Sequence, residues 1–224
     1  MKFRSLVIEG CLVVGLLLAG CNQSDSSGTQ GPAMQKEPPQ PQTAKAVETP
    51  KPAAAPVAVA PAPAPKFALR VDCGASAPYT DKLGNTWVAD QELAPDRTWG
   101  SDDGSTMDRE GVGITGTDMP RIYETERYSM GSYKFTVPNG KYTVRLHFAE
   151  TFEGISGPGE RVFSVKVAGQ EVLKDLDPFK AAGGALKPVV KEFKGVSVEN
   201  GQLVIDFTAN VENPQICGIE ILGE

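Results

Sequence analysis

The sequence is poor in the residues that most metal and reaction chemistries need. It holds a single histidine, His147, and no CxxC pair, so a zinc centre has too few ligands. There is no GxSxG nucleophile motif, and no glycine-rich phosphate loop is read in the chain. No cofactor is implied. Asp102, Asp103 and Asp108 lack the spacing of an EF-hand calcium loop and read as a solvated turn. Cationic excess is also missing: the formal net charge is −6, which argues against a nucleic-acid partner. No long stretch shows helical periodicity, and that excludes a helical bundle. From Asn22 to Lys66 there is no aromatic residue. Such a segment cannot bury enough surface to offset the entropy of ordering.

What is present divides into three parts. Residues 1–20 read as a lipoprotein signal peptide. Lys2 and Arg4 are followed by the apolar run CLVVGLLLAG, which is shorter than the ~20 residues needed to span a bilayer. Leu18-Ala19-Gly20-Cys21 then makes Cys21 the expected lipidation point. Asn22 follows, where an aspartate would favour an inner membrane. The expected location is a bacterial cell envelope, lipid-anchored, with the outer membrane favoured. Residues 21–66 read as a disordered tether rich in Pro and Ala, tending to polyproline II. Residues 67–224 form the folded domain.

Within that domain, short alternating runs separated by Gly and Pro predict an all-β, two-sheet β-sandwich. Tyr133, Phe135 and Val137, then Pro138-Asn139-Gly140, then Tyr142 to Phe148, predict a hairpin. Asn200-Gly201 predicts a second one, because both residues accept positive φ. A turn is expected near Gly169, and a short helix from Pro178 to Ala182. Cys73 and Cys217 fall on the apolar phase of the first and last strands. An oxidising compartment permits a disulfide between them; two buried thiols fit the same pattern. His147 alternates out of phase with Leu146 and Phe148 and is expected at a surface or groove.

The loops around the first predicted hairpin carry Tyr123, Tyr128 and Phe152 with Glu124, Glu126, Arg127, Glu150 and Glu153. Aromatic faces beside carboxylates suit a sugar site. Two of the glutamates could instead serve a glycosidase, at ~5 Å separation for retention or 6.5–9.5 Å for inversion. Glu126 and Arg127 also read as scaffold that holds the loop. A third reading is an envelope lipoprotein whose loops bind a protein partner.

Five ordered blocks carry a resemblance: IYETERY, YKFTVPNGKYTVRLHFAE, RVFSVKVAGQEVLKDLD, VVKEF and ENPQICGIEIL. Together they resemble the malectin domain across essentially all of residues 67–224. The resemblance implies a jelly-roll-like sandwich that binds carbohydrate without cutting it, and a glucose-glucose unit is the ligand of the animal member. It implies binding roles for Tyr128, for Phe152 and Glu153 in place of an aromatic pair, for Glu212 in place of an aspartate, and for Trp99 in place of an earlier tyrosine. The expected partners are an oligosaccharide or glycan and, through Cys21, a membrane.

Overall fold

The computed structural model describes residues 67–224. The signal segment, Cys21 and the tether lie outside the described residues. The strands are β1 (Ala68–Asp72), β2 (Tyr79–Thr80), β3 (Thr86–Ala89), β4 (Trp99–Ser101), β5 (Ser105–Asp108), β6 (Thr125–Tyr128) and β7 (Ser132–Thr136). They continue as β8 (Gly140–Phe148), β9 (Val162–Val167), β10 (Gln170–Leu176), β11 (Val189–Val198), β12 (Gln202–Val211), β13 (Gln215–Ile216) and β14 (Gly218–Gly223). A short helix, α1 (Pro178–Ala182), lies where the sequence predicts it. Asp177 caps it by accepting from the Lys180 N–H at 2.8 Å, and Gly183 ends it in the left-handed region.

A six-stranded sheet in the order β11-β8-β14-β1-β3-β2 faces a five-stranded sheet in the order β10-β9-β12-β7-β4. Val144, Leu146 and Ile219 from the first and Phe135, Phe163 and Ile205 from the second share one buried core. The chain is therefore a β-sandwich, as the alternation predicts. A third, three-stranded sheet, β13-β6-β5, joins it.

Both predicted hairpins are corrected. β7 pairs with β12 and β4, whereas β8 pairs with β11 and β14, so Pro138–Gly140 crosses from one sheet to the other. The Asn200-Gly201 turn crosses likewise, because β11 and β12 lie in different sheets. The two crossings dock on each other: the Gly201 N–H donates to Asn139 Oδ1 at 2.7 Å, and the Val137 N–H to the Gly201 carbonyl at 3.0 Å. Alternation looks the same whether two strands pair edge to edge or face each other across a core. The Ala168-Gly169 turn, with both residues at positive φ, does join a paired hairpin, β9–β10.

Of the two readings open for Cys73 and Cys217, the structure has the buried free thiols. The break between β13 and β14 shifts the alternation. Ile216 and Ile219 both enter the main core, and Cys217 between them turns into a second cluster with Trp87, Ile122, Tyr123 and Ala149. Cys73 stays in the main core. The backbones touch, with the Cys73 N–H donating to the Cys217 carbonyl at 2.8 Å, but the side chains serve different clusters.

That second cluster explains the correction at His147. The residue is 3% exposed. Its Nδ1 lies 2.8 Å from the Tyr123 hydroxyl and its Nε2 3.1 Å from Glu220 Oε1, with the Trp87 ring edge-on at 5.2 Å. The phase of a strand shows which face a side chain takes, not what covers that face. Here the segment carrying Ile122 and Tyr123 folds over the outer side of the six-stranded sheet. The same segment spells GxGxxG at Gly111–Gly116, but it stands in a loop between β5 and a 3₁₀ turn at Pro120–Tyr123. It lacks the strand-to-helix setting that a dinucleotide fingerprint requires.

Candidate functional site

The site is built on β6, whose two faces have different work. Thr125 and Arg127 face the sandwich. Thr125 Oγ1 donates to Asp72 Oδ1 at 2.5 Å, and Arg127 Nε donates to Asp90 Oδ2 at 2.8 Å. Glu126 and Tyr128 take the opposite face by alternation. Met107 on β5 stands directly across from Glu126. The strand is pressed close to its support. A Cβ added to Gly74, which has φ +87°, would lie 2.2 Å from the Glu126 carbonyl oxygen. Only glycine fits there.

The outward face of β6 opens into a pocket of about 180 Å³. Met107, Glu126 and Tyr128 line it from the small sheet, Arg109 and Phe152 from flanking loops, and Arg161, Glu212 and Asn213 from the opposite side. Two apolar side chains stay notably open in it: Phe152 is 45% exposed and Met107 38%. Tyr128 is half-buried, and Glu212 and Asn213 are exposed.

Buried ion pairs fix the walls. Arg109 Nη1 donates to Glu126 Oε1 at 2.8 Å and to Thr151 Oγ1 at 3.2 Å, and Thr151 donates to Glu126 Oε2 at 3.2 Å. Arg161 Nε donates to Glu150 Oε2 at 2.7 Å, and its Nη1 donates to the Asn213 carbonyl. Glu150 is fully buried and also accepts from the Phe152 N–H at 3.0 Å. Burial pushes its pKa up, against the pull of the Arg161 guanidinium. One carboxylate thus ties together the loop that carries Phe152 and the arginine across the pocket.

Glu212 is held in the left-handed region at φ 56°, uncommon for a non-glycine residue. Asn213 Nδ2 donates to its Oε1 at 3.0 Å. The Pro214 carbonyl accepts from the Ser129 N–H at 3.0 Å, next to Tyr128. The Glu-Asn-Pro turn is therefore stapled to the end of β6.

Of the residues singled out in the sequence, Tyr128, Phe152 and Glu212 line one pocket. Glu153 is exposed and outside it. Trp99 lies in β4, stacked on Phe135 with ring centroids 6.1 Å apart, and packs on the main core instead of the pocket. Glu124 accepts from Arg121 and from the Gly111 N–H. The acidic turn is engaged as well: Asp102 accepts from Ser132 N–H and Oγ, Asp103 from the Gly131 N–H, and Asp108 pairs with Arg121 at 2.6 Å. Sequence reasoning missed Met107, Arg109 and Arg161 as pocket residues. Glu126, read as scaffold, does hold the wall, accepting from Arg109 and Thr151, and it also lines the pocket because it shares the phase of Tyr128 on β6.

Gly154 offers a test of the rim. A Cβ placed there would lie 2.4 Å from Cε1 of the Phe152 ring, so the ring rests directly on the glycine. Gly154→Ala should turn the ring away and weaken ligand binding by about 1 kcal/mol, with little change in melting temperature. Calorimetric titration beside a thermal melt checks this; unchanged affinity means the ring is not a binding platform.

The Malectin domain family model matches residues 67–220. The chain is 32% identical over 116 residues to Malectin-B of Xenopus laevis, covering 45% of this chain and 41% of that protein. It is 29% identical over 160 residues to a probable LRR receptor-like serine/threonine-protein kinase of Arabidopsis thaliana, covering 62% of this chain and 15% of the kinase. The chain spans less than half the length of either relative. Among solved structures, a beta-glucuronidase of Bacteroides uniformis superposes with TM-score 0.64 at 23% identity, over 70% of this chain and 18% of the enzyme. The plant receptor-like kinase FER superposes with TM-score 0.58 at 20% identity, over 69% of this chain and 48% of the receptor. At these identities the structural likenesses concern the fold.

Proposed function

The chain belongs to the malectin domain family, and from that premise we propose that it is a non-catalytic carbohydrate-binding module whose saccharide occupies the pocket on β6. The observation that carries the reading is the meeting of Tyr128, Phe152 and Glu212 in one open pocket. Sugar C–H faces pack on the two rings, and the Glu212 carboxylate accepts from hydroxyls with the strength of a charged acceptor. The guanidiniums of Arg109 and Arg161 add fixed donors.

Binding without cleavage is supported by the state of the acids. Glu150 is buried beneath Arg161, and Glu126 is held by Arg109 and Thr151. That leaves Glu212 as the exposed carboxylate of the pocket, whereas hydrolysis calls for an acid and a partner poised across the sugar. We further propose that Cys21 carries lipid and that the Pro/Ala-rich segment tethers the domain to a bacterial envelope membrane. The pocket's position supports display. Phe67, where the domain begins, packs on Tyr142 at one end of β8; Phe152 and Glu150 follow the other end. The site therefore lies at the pole away from the chain's entry.

Glycan profiling of the protein, followed by titration, tests the proposal. Tyr128→Ala and Glu212→Ala should each lower affinity by about 1–3 kcal/mol while the melting temperature stays nearly constant. A blank glycan profile, with capture of an envelope protein through the same loops, would replace sugar binding with protein binding.

A further inference from the structure

One buried carboxylate holds several parts of the pocket at once. Glu150 is 0% exposed and lies just past the end of β8. Its Oε2 accepts from Arg161 Nε at 2.7 Å and its Oε1 from the Phe152 N–H at 3.0 Å. Its backbone is pinned as well. The Glu150 carbonyl accepts from the Leu186 N–H at 2.9 Å, and the Leu186 carbonyl accepts from the Thr115 N–H at 3.0 Å. Segments far apart in the chain therefore fix where this carboxylate stands.

Arg161 carries that order into the pocket. Its side chain is 4% exposed. Nε is taken by Glu150, and Nη1 by the carbonyl of Asn213, the neighbour of Glu212. Nη2 has no hydrogen-bond partner among the described residues, yet it is not sealed in the interior. Arg161 lines the pocket, so the pocket is where Nη2 opens. A guanidinium is planar, and fixing Nε and Nη1 also fixes the directions of the Nη2 hydrogens. Arg109 is less constrained. Of its guanidinium nitrogens only Nη1 is engaged among the described residues, and its side chain is 19% exposed. The Phe152 ring rests on Gly154 while its backbone N–H is anchored at Glu150. Ring and guanidinium are thus placed by the same carboxylate.

We propose that Glu150 is a positioning residue for the ligand: it aims Arg161 Nη2 at one saccharide oxygen and sets the Phe152 ring with it as a single unit. The inference rests on the saccharide reading of the β6 pocket. A donor fixed beforehand loses no rotamer freedom on binding, and it selects ligands whose oxygen falls at that point. An ion pair that served packing alone would gain nothing from an arm left open to the pocket.

The test is calorimetric titration of the full-length protein with maltose, cellobiose and laminaribiose, beside the glycans that its profile returns. A double-variant cycle is then run on whichever binds most tightly. Glu150→Gln keeps the shape but has one acceptor oxygen where the carboxylate has a pair, so either Arg161 or the Phe152 N–H loses its partner. It should lower affinity about tenfold. Arg161→Lys keeps a cation for Glu150 and lacks the aimed arm; it too should lower affinity about tenfold. In the Glu150→Gln background, Arg161→Lys should add less than about a twofold loss, because the arm is no longer aimed. Losses that multiply to about a hundredfold would make Glu150 plain scaffold; they would overturn the proposal and leave saccharide binding in place. If Glu150→Gln does not fold, Arg161→Lys decides alone. A loss of about tenfold at the parental melting temperature supports the proposal, and unchanged affinity overturns it. A parent protein that binds no saccharide at all would overturn the reading of the pocket, and this proposal with it.

Discussion

Arg127→Ala is expected to lower stability by about 3–5 kcal/mol, the cost of leaving a buried charge without its partner. The Arg127 and Asp90 side chains are 4% and 2% exposed and 2.8 Å apart. Asp90 is also the anchor for two other elements: it accepts from the Gly74 N–H at 2.7 Å and from the Tyr133 hydroxyl at 3.0 Å. Arg127 reaches further, to the carbonyls of Asp103 and Gly104 at 3.2 and 3.3 Å. Removing the guanidinium strands a carboxylate in the interior and frees the inner face of β6. Chemical denaturation should show a lower midpoint with a similar slope. The double variant Arg127→Ala, Asp90→Ala should recover part of the loss, because no charge is then stranded. A single variant within about 1 kcal/mol of the parent would mean water reaches this pair, and that β6 does not depend on it.

The strands that follow β6 show what was readable in the sequence and what was not. Period-two alternation marked Tyr133, Phe135, Val144 and Leu146 as inward, and all four are in the core. It could not distinguish a hairpin from a crossing, because both arrangements place the same side chains inside. Pro138–Gly140 and Asn200-Gly201 are crossings that brace each other through Asn139. That contact joins residues 62 positions apart, and no local rule reports it. At the site, Tyr128, Phe152 and Glu212 line one pocket, and each lies at or beside the end of a recognisable block: Tyr128 closes IYETERY, Phe152 follows HFAE and Glu212 opens ENPQICGIEIL. Arg109 and Arg161 stayed hidden because each takes its place from a partner, Glu126 and Glu150, that lies 17 and 11 positions away. Trp99 was misplaced for a related reason. A large aromatic before a glycine looks like a platform, whereas here its sheet partner, Phe135, holds it against the core. Cys217 shows how a one-residue break between two short strands reverses a phase read from longer ones.

Asp72→Asn is expected to stabilise the protein, and the gain should depend on pH. Asp72 is 1% exposed, its Oδ1 is taken by Thr125, and its Oδ2 has no hydrogen-bond partner among the described residues. The nearby cation does not rescue it. Arg121 is committed to Asp108 through two bonds of 2.8 and 2.6 Å, and Asp108 and Asp90 add negative charge. Burial therefore raises the pKa of Asp72 from 3.8 to about 7. The sign follows from proton uptake. Between those two values the folded state keeps the proton and the unfolded state releases it, so stability falls as pH rises from about 4 to about 7 and then levels off. Three pH units at 1.36 kcal/mol each set the loss at up to about 4 kcal/mol. Asparagine is close in shape, keeps the acceptor for Thr125 and never ionises. The variant should match the parent near pH 4 and exceed it by up to about 4 kcal/mol at pH 8. Urea melts of both proteins at the two pH values decide the matter. Parallel curves at both would show that Asp72 stays ionised in the folded protein throughout, with its charge met by water behind β6.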